Sequence, residues 1–440
     1  MPEPSLPARR GERLRGLIVD VEPLRRDRDF RLLWIGQVVS GLGRQVTAIV
    51  LPYQLYVLTG TPLAIGALAL VQVVPIVAFS LGGGVIADAV DRRRLLLLTQ
   101  AGLAASSAAL AGLALLAAPP VLAIYAVAFV AAGLGAIDQP ARSSAVPRLV
   151  PRERLPAALA LGQLNFQAAG VVGPAIGGLV IATLGVAAGY VFDAITFGAA
   201  IGTLLLMAPI PPAHGAVRPS VAAIAEGLRF ARRRRAILGT FAVDLNAMVF
   251  GMPTALFPIL ALDVFRVGPA GLGLLAAAPA AGALVGALLT GWVGRIRRTG
   301  QAVLWASAGW GLAITAFGLS TFSFPLALAF LAAAGAADVI TAVLRSAIVQ
   351  LLTPDLLRGR VTSIHILVVT GGPRLGDVEA SAVASFAGAQ LSVVSGGFLC
   401  LLGLVAIIRS FPELAAFDMW QVAASGADAQ DPGPEPTPAA

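Results

Sequence analysis

The feature that most constrains this chain is a series of twelve apolar runs, near 32–56, 62–87, 94–117, 120–141, 158–184, 187–209, 237–262, 269–293, 301–321, 324–349, 362–386 and 389–409. A helix needs about 20 such residues to cross roughly 30 Å of hydrocarbon. Water is absent from that layer, so the backbone must satisfy its own hydrogen bonds, and runs of this length do so as helices. Composition agrees: 58% of the residues are hydrophobic and 12% charged, where a soluble domain carries about a quarter charged. So few charges cannot solvate the surface of a 440-residue globule. Composition therefore argues against a soluble enzyme, and the expectation is an all-α membrane protein. One run, 237–262, is interrupted by Asp244 and Asn246.

Charge sets the topology. All 31 basic residues are arginine, and with 49 Gly and 30 Pro this reads as the codon bias of a GC-rich bacterial genome. Each arginine at the end of a run is counted with its adjoining loop. The amino-terminal segment, the loops after runs 2, 4, 6, 8 and 10, and the carboxyl-terminal segment then hold 28 of them. The opposite loops hold only Arg266, and Arg44 and Arg374 lie inside runs. Positive loops stay inside, which predicts a multi-pass protein of the cell membrane with both termini cytoplasmic. The net charge of +8 therefore reflects topology, and no nucleic-acid partner is expected. A lone Cys400 and two distant histidines, His214 and His365, offer no disulfide framework, metal cluster or cofactor site. The first thirty residues contain no apolar core of a cleavable signal peptide.

Five segments follow: a cytoplasmic amino-terminal stretch 1–31, a first bundle 32–209, a linker 210–236, a second bundle 237–411, and a polar tail 412–440 expected to be disordered. The linker begins at the helix-breaking Pro209-Ile210-Pro211-Pro212 and runs through Ala222–Phe230 into Arg232–Arg235. Its second part reads as an amphipathic helix on anionic lipid headgroups.

The loop after run 2 reads Gly84-Val85-Ile86-Ala87-Asp88-Ala89-Val90-Asp91-Arg92-Arg93-Arg94. A glycine near a helix end admits a neighbouring helix, and a carboxylate beside arginines can latch two helices in one arrangement and release them in another. The plain alternative is a stop-transfer charge cluster. With two six-run halves and a basic central loop, this sequence resembles the major facilitator superfamily, whose signature here is Gly-x-x-x-Asp-Arg-x-Gly-Arg-Arg. Gly84, Asp88, Arg92 and Arg93 match it, whereas Ala89 and Asp91 depart, so the arginines could pair with Asp91 instead. The loop after run 8, Gly291-Trp292-Val293-Gly294-Arg295-Ile296-Arg297-Arg298, is similar to a decayed copy. Run 5 holds Ala169-x-x-x-Gly173-Pro174-x-x-Gly177-Gly178, which resembles the superfamily's antiporter signature, found in exporters. Asp138-Gln139-Pro140-Ala141-Arg142, Phe192-Asp193-Ala194 and Arg358-Gly359-Arg360-Val361 resemble the branch of enterobactin-type siderophore exporters and related drug-efflux proteins. The resemblance implies twelve transmembrane helices in two pseudo-symmetric six-helix bundles.

A charge at the centre of a span costs about 2.5–3.5 kcal/mol, so it needs a partner or a watery cavity. Gln37, Ser40, Arg44 and Thr47 fall at steps of three and four on run 1. This stripe either lines a central cavity, with Arg44 drawing anionic groups, or staples run 1 to a neighbour. Run 11 carries Arg374, Asp377 and Glu379; the first two are three apart and can pair, while Glu379 points elsewhere. Alternatively the run is broken at Gly371-Gly372-Pro373 and these charges sit in an outside-facing crevice. Asp338, Thr341 and Arg345 share a face of run 10, with Arg345 expected to snorkel to the cytoplasmic interface and Asp338 left as a proton site. Gln163 and Gln167 are one turn apart in run 5 and could hydrogen-bond a polar cargo, whereas Asp138 and Arg142 read as a structural pair. Asp193 and Asp244 rank behind these.

The resulting expectation is a secondary transporter, not an enzyme, exporting a small amphipathic molecule such as a siderophore, antibiotic or other metabolite by alternating access. Without lysine there is no phosphate-binding Gly-x-x-x-x-Gly-Lys loop, so the resemblance implies a proton gradient as the energy source. The expected partners are the cargo, the proton and membrane lipid, and the working unit is a monomer. An importer or facilitator with the same fold remains the alternative.

Overall fold

The computed structural model describes residues 20–211, 229–289 and 296–420, and these residues are helical with no strand among them. Six long helices form the first half: α1 (Arg28–Thr59), α2 (Pro62–Ala89), α3 (Arg92–Ala114), α4 (Val121–Leu149), α5 (Leu155–Leu184) and α6 (Val186–Leu205). The second half comprises α7 (Arg235–Phe250, resumed over Thr254–Val264), α8 (Gly268–Leu289), α9 (Thr299–Leu319), α10 (Phe324–Leu352), α11 (Asp355–Ala387) and α12 (Ala389–Ser410). Ten of the twelve are long and apolar enough to cross a membrane. The two that complete the set, α1 and α11, are the helices that carry Arg44 and Arg374. Large apolar side chains such as Leu98, Leu122, Leu288, Trp305 and Phe386 are exposed on the outside of the bundles. Such a belt suits lipid and would aggregate in water. The protein is a multi-pass membrane protein.

Each half packs by the same plan. In the first, α1 lies on α5 and α6, α2 on α4, and α3 on α4 and α6. In the second, α7 lies on α11 and α12, α8 on α10, and α9 on α10 and α12. The bundles meet through α5 against α8 and α2 against α11, which the same pseudo-symmetry exchanges. Lipid tails are as apolar as leucine, so helices associate by close packing of small residues. Gly178 of α5 and Gly273 of α8 put backbone on backbone: a Cβ at Gly273 would stand 2.6 Å from the Pro174 carbonyl oxygen. Gly173 and Gly177 face the other way, onto Gln45 and Val46 of α1. The Gly-Pro-x-x-Gly-Gly stretch thus seats α5 between its own bundle and the opposite one.

Several sequence expectations are corrected here. Run 7 is broken at Gly251-Met252-Pro253 rather than at Asp244, because Pro253 cannot continue the backbone ladder. Run 11, by contrast, is one continuous helix through Pro373, so its charges do not sit in a broken crevice. Past residue 411 the chain stays ordered as a short helix, Pro412–Ala415, with Leu414 and Phe417 buried against Val243 and Val303. At the end of the linker, Phe230 and Ala231 pack on Ile237, Phe241 and Val361. The amphipathic stretch before it, residues 291–295 of the latch-loop copy at 291–298, and the tail beyond 420 lie outside the described residues.

A Gly178→Val exchange forces methyl groups into the Gly273 backbone, and overpacking of this kind costs about 1–3 kcal/mol. Spin labels on the facing ends of α5 and α8 should move apart in the variant. An unchanged distance at full yield would contradict the backbone contact.

Candidate functional site

A cavity of about 430 Å³ lies between the bundles at mid-height. Most of its wall belongs to the first bundle, through α1, α2, α3, α4 and α6, while Thr254, Ala255, Arg374 and Asp377 close it from the second. Leu51, Ile65, Leu68, Leu110 and Phe197 make the wall largely apolar. Its polar points are Arg44, Thr47, Gln72, Ser106, Ser107, Gln139, Asp193, Thr254, Arg374 and Asp377. Size and lining suit an amphipathic small molecule.

The cavity is shut at the arginine-poor ends of the helices. There the Tyr56 hydroxyl of α1 donates a hydrogen bond to the Asp263 carboxylate of α7. Gly66 of α2 abuts Ser381 of α11, and Gly178 abuts Gly273 below them. All three contacts join opposite bundles.

Charges in the wall and just behind it are held by defined partners. Asp138 on α4 is fully buried and accepts from Thr99 Oγ1 at 2.8 Å, Gln100 Nε2 at 2.8 Å and Arg142 Nη2 at 2.5 Å. The Arg44 guanidinium approaches the same carboxylate at 3.9 Å. Asp193 on α6 accepts from Thr47 and Ser107, each at 2.7 Å. In the second bundle Asp377 accepts from Thr254 Oγ1 at 2.7 Å and from the Ala255 N–H at 3.1 Å, with Arg374 at 3.6 Å. The break in α7 therefore has a use, since it frees the Thr254 hydroxyl and the Ala255 N–H to hold this acid. Away from the cavity wall, Arg345 of α10 forms a 2.5 Å ion pair with Asp244 of α7, both nearly inaccessible. Arg345 is thus buried and paired rather than snorkelling, because Asp244 draws it inward.

The loop after α2 is built as an anchor. Asp91 caps α3, its carboxylate accepting from the Arg94 N–H at 2.9 Å, a bond worth about 1 kcal/mol. The Arg93 guanidinium donates to the Leu204 and Leu205 carbonyls at 2.7 and 2.8 Å, satisfying the end of α6 where the helix dipole is negative. Arg92 is buried and donates to Ser144 Oγ at 2.9 Å and to the Pro211 carbonyl at 3.3 Å. These contacts tie α3 to α4, α6 and the start of the linker, all within the first half. Gly84 and Asp88 fall in the last turns of α2, and the side chain of Asp88 lies outside the described set.

Of the expected cargo residues, Arg44, Arg374 and Asp377 meet in the cavity. The polar stripe of α1 divides: Thr47 joins Arg44 on the cavity wall, whereas Gln37 and Ser40 line a small separate crevice with Gln100 and Arg142. Gln163 is exposed and Gln167 half-buried, and neither lines the cavity. Asp338 and Glu379 are half-buried outside its wall, and Glu379 has no ion pair among the described residues. Gln72 and Gln139 line the cavity unforeseen. A signal for Gln72 existed, since Ile65, Leu68, Ala69, Gln72 and Ile76 repeat at helical steps and all face the cavity.

Removing one member of a buried ion pair leaves its partner uncompensated and costs about 3–5 kcal/mol. Asp138→Ala strands Arg142 and should lower the unfolding midpoint and yield sharply, with Asp138→Asn intermediate. Wild-type stability of both would contradict the network.

Comparison with known proteins places the chain. The family described as transmembrane secretion effector matches residues 19–431. The enterobactin exporter EntS of Escherichia coli O6:K15:H31 is 29% identical over 406 residues, covering 90% of this chain and 95% of that protein. Among solved structures, a POT family transporter in complex with 5-aminolevulinic acid superposes with a TM-score of 0.70 at 13% identity, covering 88% of this chain and 97% of that one. A bacterial homologue of the iron transporter ferroportin in an inward-facing state gives 0.68 at 14% identity, covering 89% and 99%.

Proposed function

The chain belongs to the transmembrane secretion effector family, and on that premise we propose that this transporter exports a small amphipathic molecule from bacterial cells by proton-coupled alternating access. The observation that carries this reading is the cavity itself, walled by both bundles and shut at one face by contacts between them. Rocking about the midplane would open those contacts and close the opposite ends. The arginine-rich face is taken as cytoplasmic, by the positive-inside rule, with both termini on that side and anionic lipid beneath it. One chain supplies the cavity and both bundles, so a monomer suffices. Export rather than import is favoured by the Gly173-Pro174-x-x-Gly177-Gly178 seat and by the likeness to the enterobactin exporters.

Charge balance supports a proton as the coupling ion. In the first bundle Arg44 and Arg142 offset Asp138 and Asp193. In the second, Arg345 faces both Asp244 and Asp338, and Arg374 pairs with Asp377 while Glu379 stands two residues on. Each second-bundle set has one carboxyl more than its arginine can neutralise, and an unpaired charge in hydrocarbon is best relieved by taking up a proton. Asp338 and Glu379 are the carboxyls assigned to that exchange. Asp88 is assigned to the moving latch, with Arg92 and Arg93 as its fixed anchor.

The test is accumulation of amphipathic fluorescent dyes in a host stripped of its own efflux pumps. Cells carrying the gene should hold less dye than cells without it, and a protonophore should erase the difference. Asp338→Asn and Asp88→Asn should abolish efflux while expression stays intact. Greater dye retention with the gene would indicate import, and efflux insensitive to the protonophore would remove the proton.

A further inference from the structure

Resting on the transport reading above, we infer that the cargo is an amphipathic organic anion, held through its acidic group by Arg44 from one bundle and Arg374 from the other. Both guanidinium groups line the same cavity. Their side chains are 38% and 37% exposed, while the carboxylates nearest them, Asp138 and Asp377, are 0% and 9% exposed. Those acids are already spent. Asp138 takes three shorter hydrogen bonds before Arg44 reaches it at 3.9 Å, and Asp377 takes two before Arg374 at 3.6 Å. Asp193 also touches the cavity, but it is 2% exposed and bound by Thr47 and Ser107. The charged groups that a cargo can reach are therefore the two guanidiniums, whose counter-charges lie buried behind them.

An arginine offers five N–H donors in a planar fork, a geometry that suits carboxylate, sulfonate or phosphate. Two such forks in a largely apolar chamber are a strong and selective pull on an anion, because the surroundings screen little. The rest of the wall describes the rest of the cargo. Leu51, Ile65, Leu68 and Phe197 call for an apolar body. Gln72 Oε1 has no hydrogen-bond partner among the described residues, and a side-chain rotation would turn it to a cargo hydroxyl or amide N–H.

The placement also supplies a gating role. Without cargo, the two guanidinium groups face one cavity from opposite bundles, each backed by an acid of its own bundle. An anion between them adds a bridge that spans the bundles and draws them together on the side from which it entered. A negative cell interior then favours the outward step of the loaded anion.

The test uses purified full-length protein and three dansyl probes of one skeleton: dansyl-glycine, its neutral amide, and the dansyl amine made from ethylenediamine. The carboxylate should bind about tenfold or more tighter than the amide, as a lost charged hydrogen bond implies. Arg44→Gln and Arg374→Gln should each remove that preference, and Arg44→Lys and Arg374→Lys should restore part of it. Unfolding midpoints without probe identify any variant that has lost its fold, in which case the lysine variant decides. Equal binding of all three probes, preference for the amine, or saturable binding of none would overturn the inference. Uptake into everted vesicles separates this from the transport reading. If only the amine is taken up, the exporter stands and the anion falls. If the carboxylate binds but is never taken up, the site stands and export falls.

Discussion

A charge inside hydrocarbon costs several times the thermal energy, and the placement of nearly every arginine in this protein follows from that. Among the described residues, those outside the spans gather at one face of the bundles, apart from Arg266. At that face Arg93 closes the end of α6, and Arg92 reaches Ser144 and the linker. Inside the spans Arg142 and Arg345 are buried on carboxylates at 2.5 Å. Arg44 and Arg374 are the exceptions, held at long range by acids that other groups already occupy. They are tolerated because they face a cavity rather than lipid.

The apolar effect adds little between helices in such a solvent, so the contact between bundles rests on close packing: glycines that let backbones approach, and an apolar cluster in which Ile49 and Ile65 meet Leu256, Leu260 and Leu272. Gly178 against Gly273 and Gly66 against Ser381 bring helices together at the arginine-poor ends. A seal of this kind is shallow: it rests on van der Waals contact and the Tyr56–Asp263 hydrogen bond. Contacts that shallow can be exchanged for an equivalent set at the other face, which the twofold repetition of the packing plan makes available.

How legible was this in the amino-acid order? The twelve helices were, since each apolar run has its counterpart in the structure. Residue 44 was legible as an arginine that either lines a cavity or staples its helix to a neighbour, because a charge at mid-span admits few fates; it lines the cavity and also approaches Asp138 of α4. What one-dimensional reading missed depended on partners from elsewhere in the chain. Arg345 read as snorkelling because Asp244 lies about a hundred residues earlier and its approach leaves no periodic mark. Gln163 and Gln167 looked like a polar pair for cargo, but helical spacing fixes which residues share a face without saying where that face points. Thr254 could not be foreseen as a ligand of Asp377, because its exposure depends on the break at Pro253. Asp91 could have paired with the arginines beside it and instead caps its own helix.

The central claim is that one cavity is reached from one side of the membrane at a time. Cys400 is buried, so it should stay unreactive while a single cysteine is introduced at Ala136 on the cavity wall. A membrane-impermeant maleimide should label that cysteine from the arginine-rich face in the resting protein. Opening the other gate with Tyr56→Ala should move labelling to the opposite face. Labelling from both faces at once, or from neither in both proteins, would contradict the account.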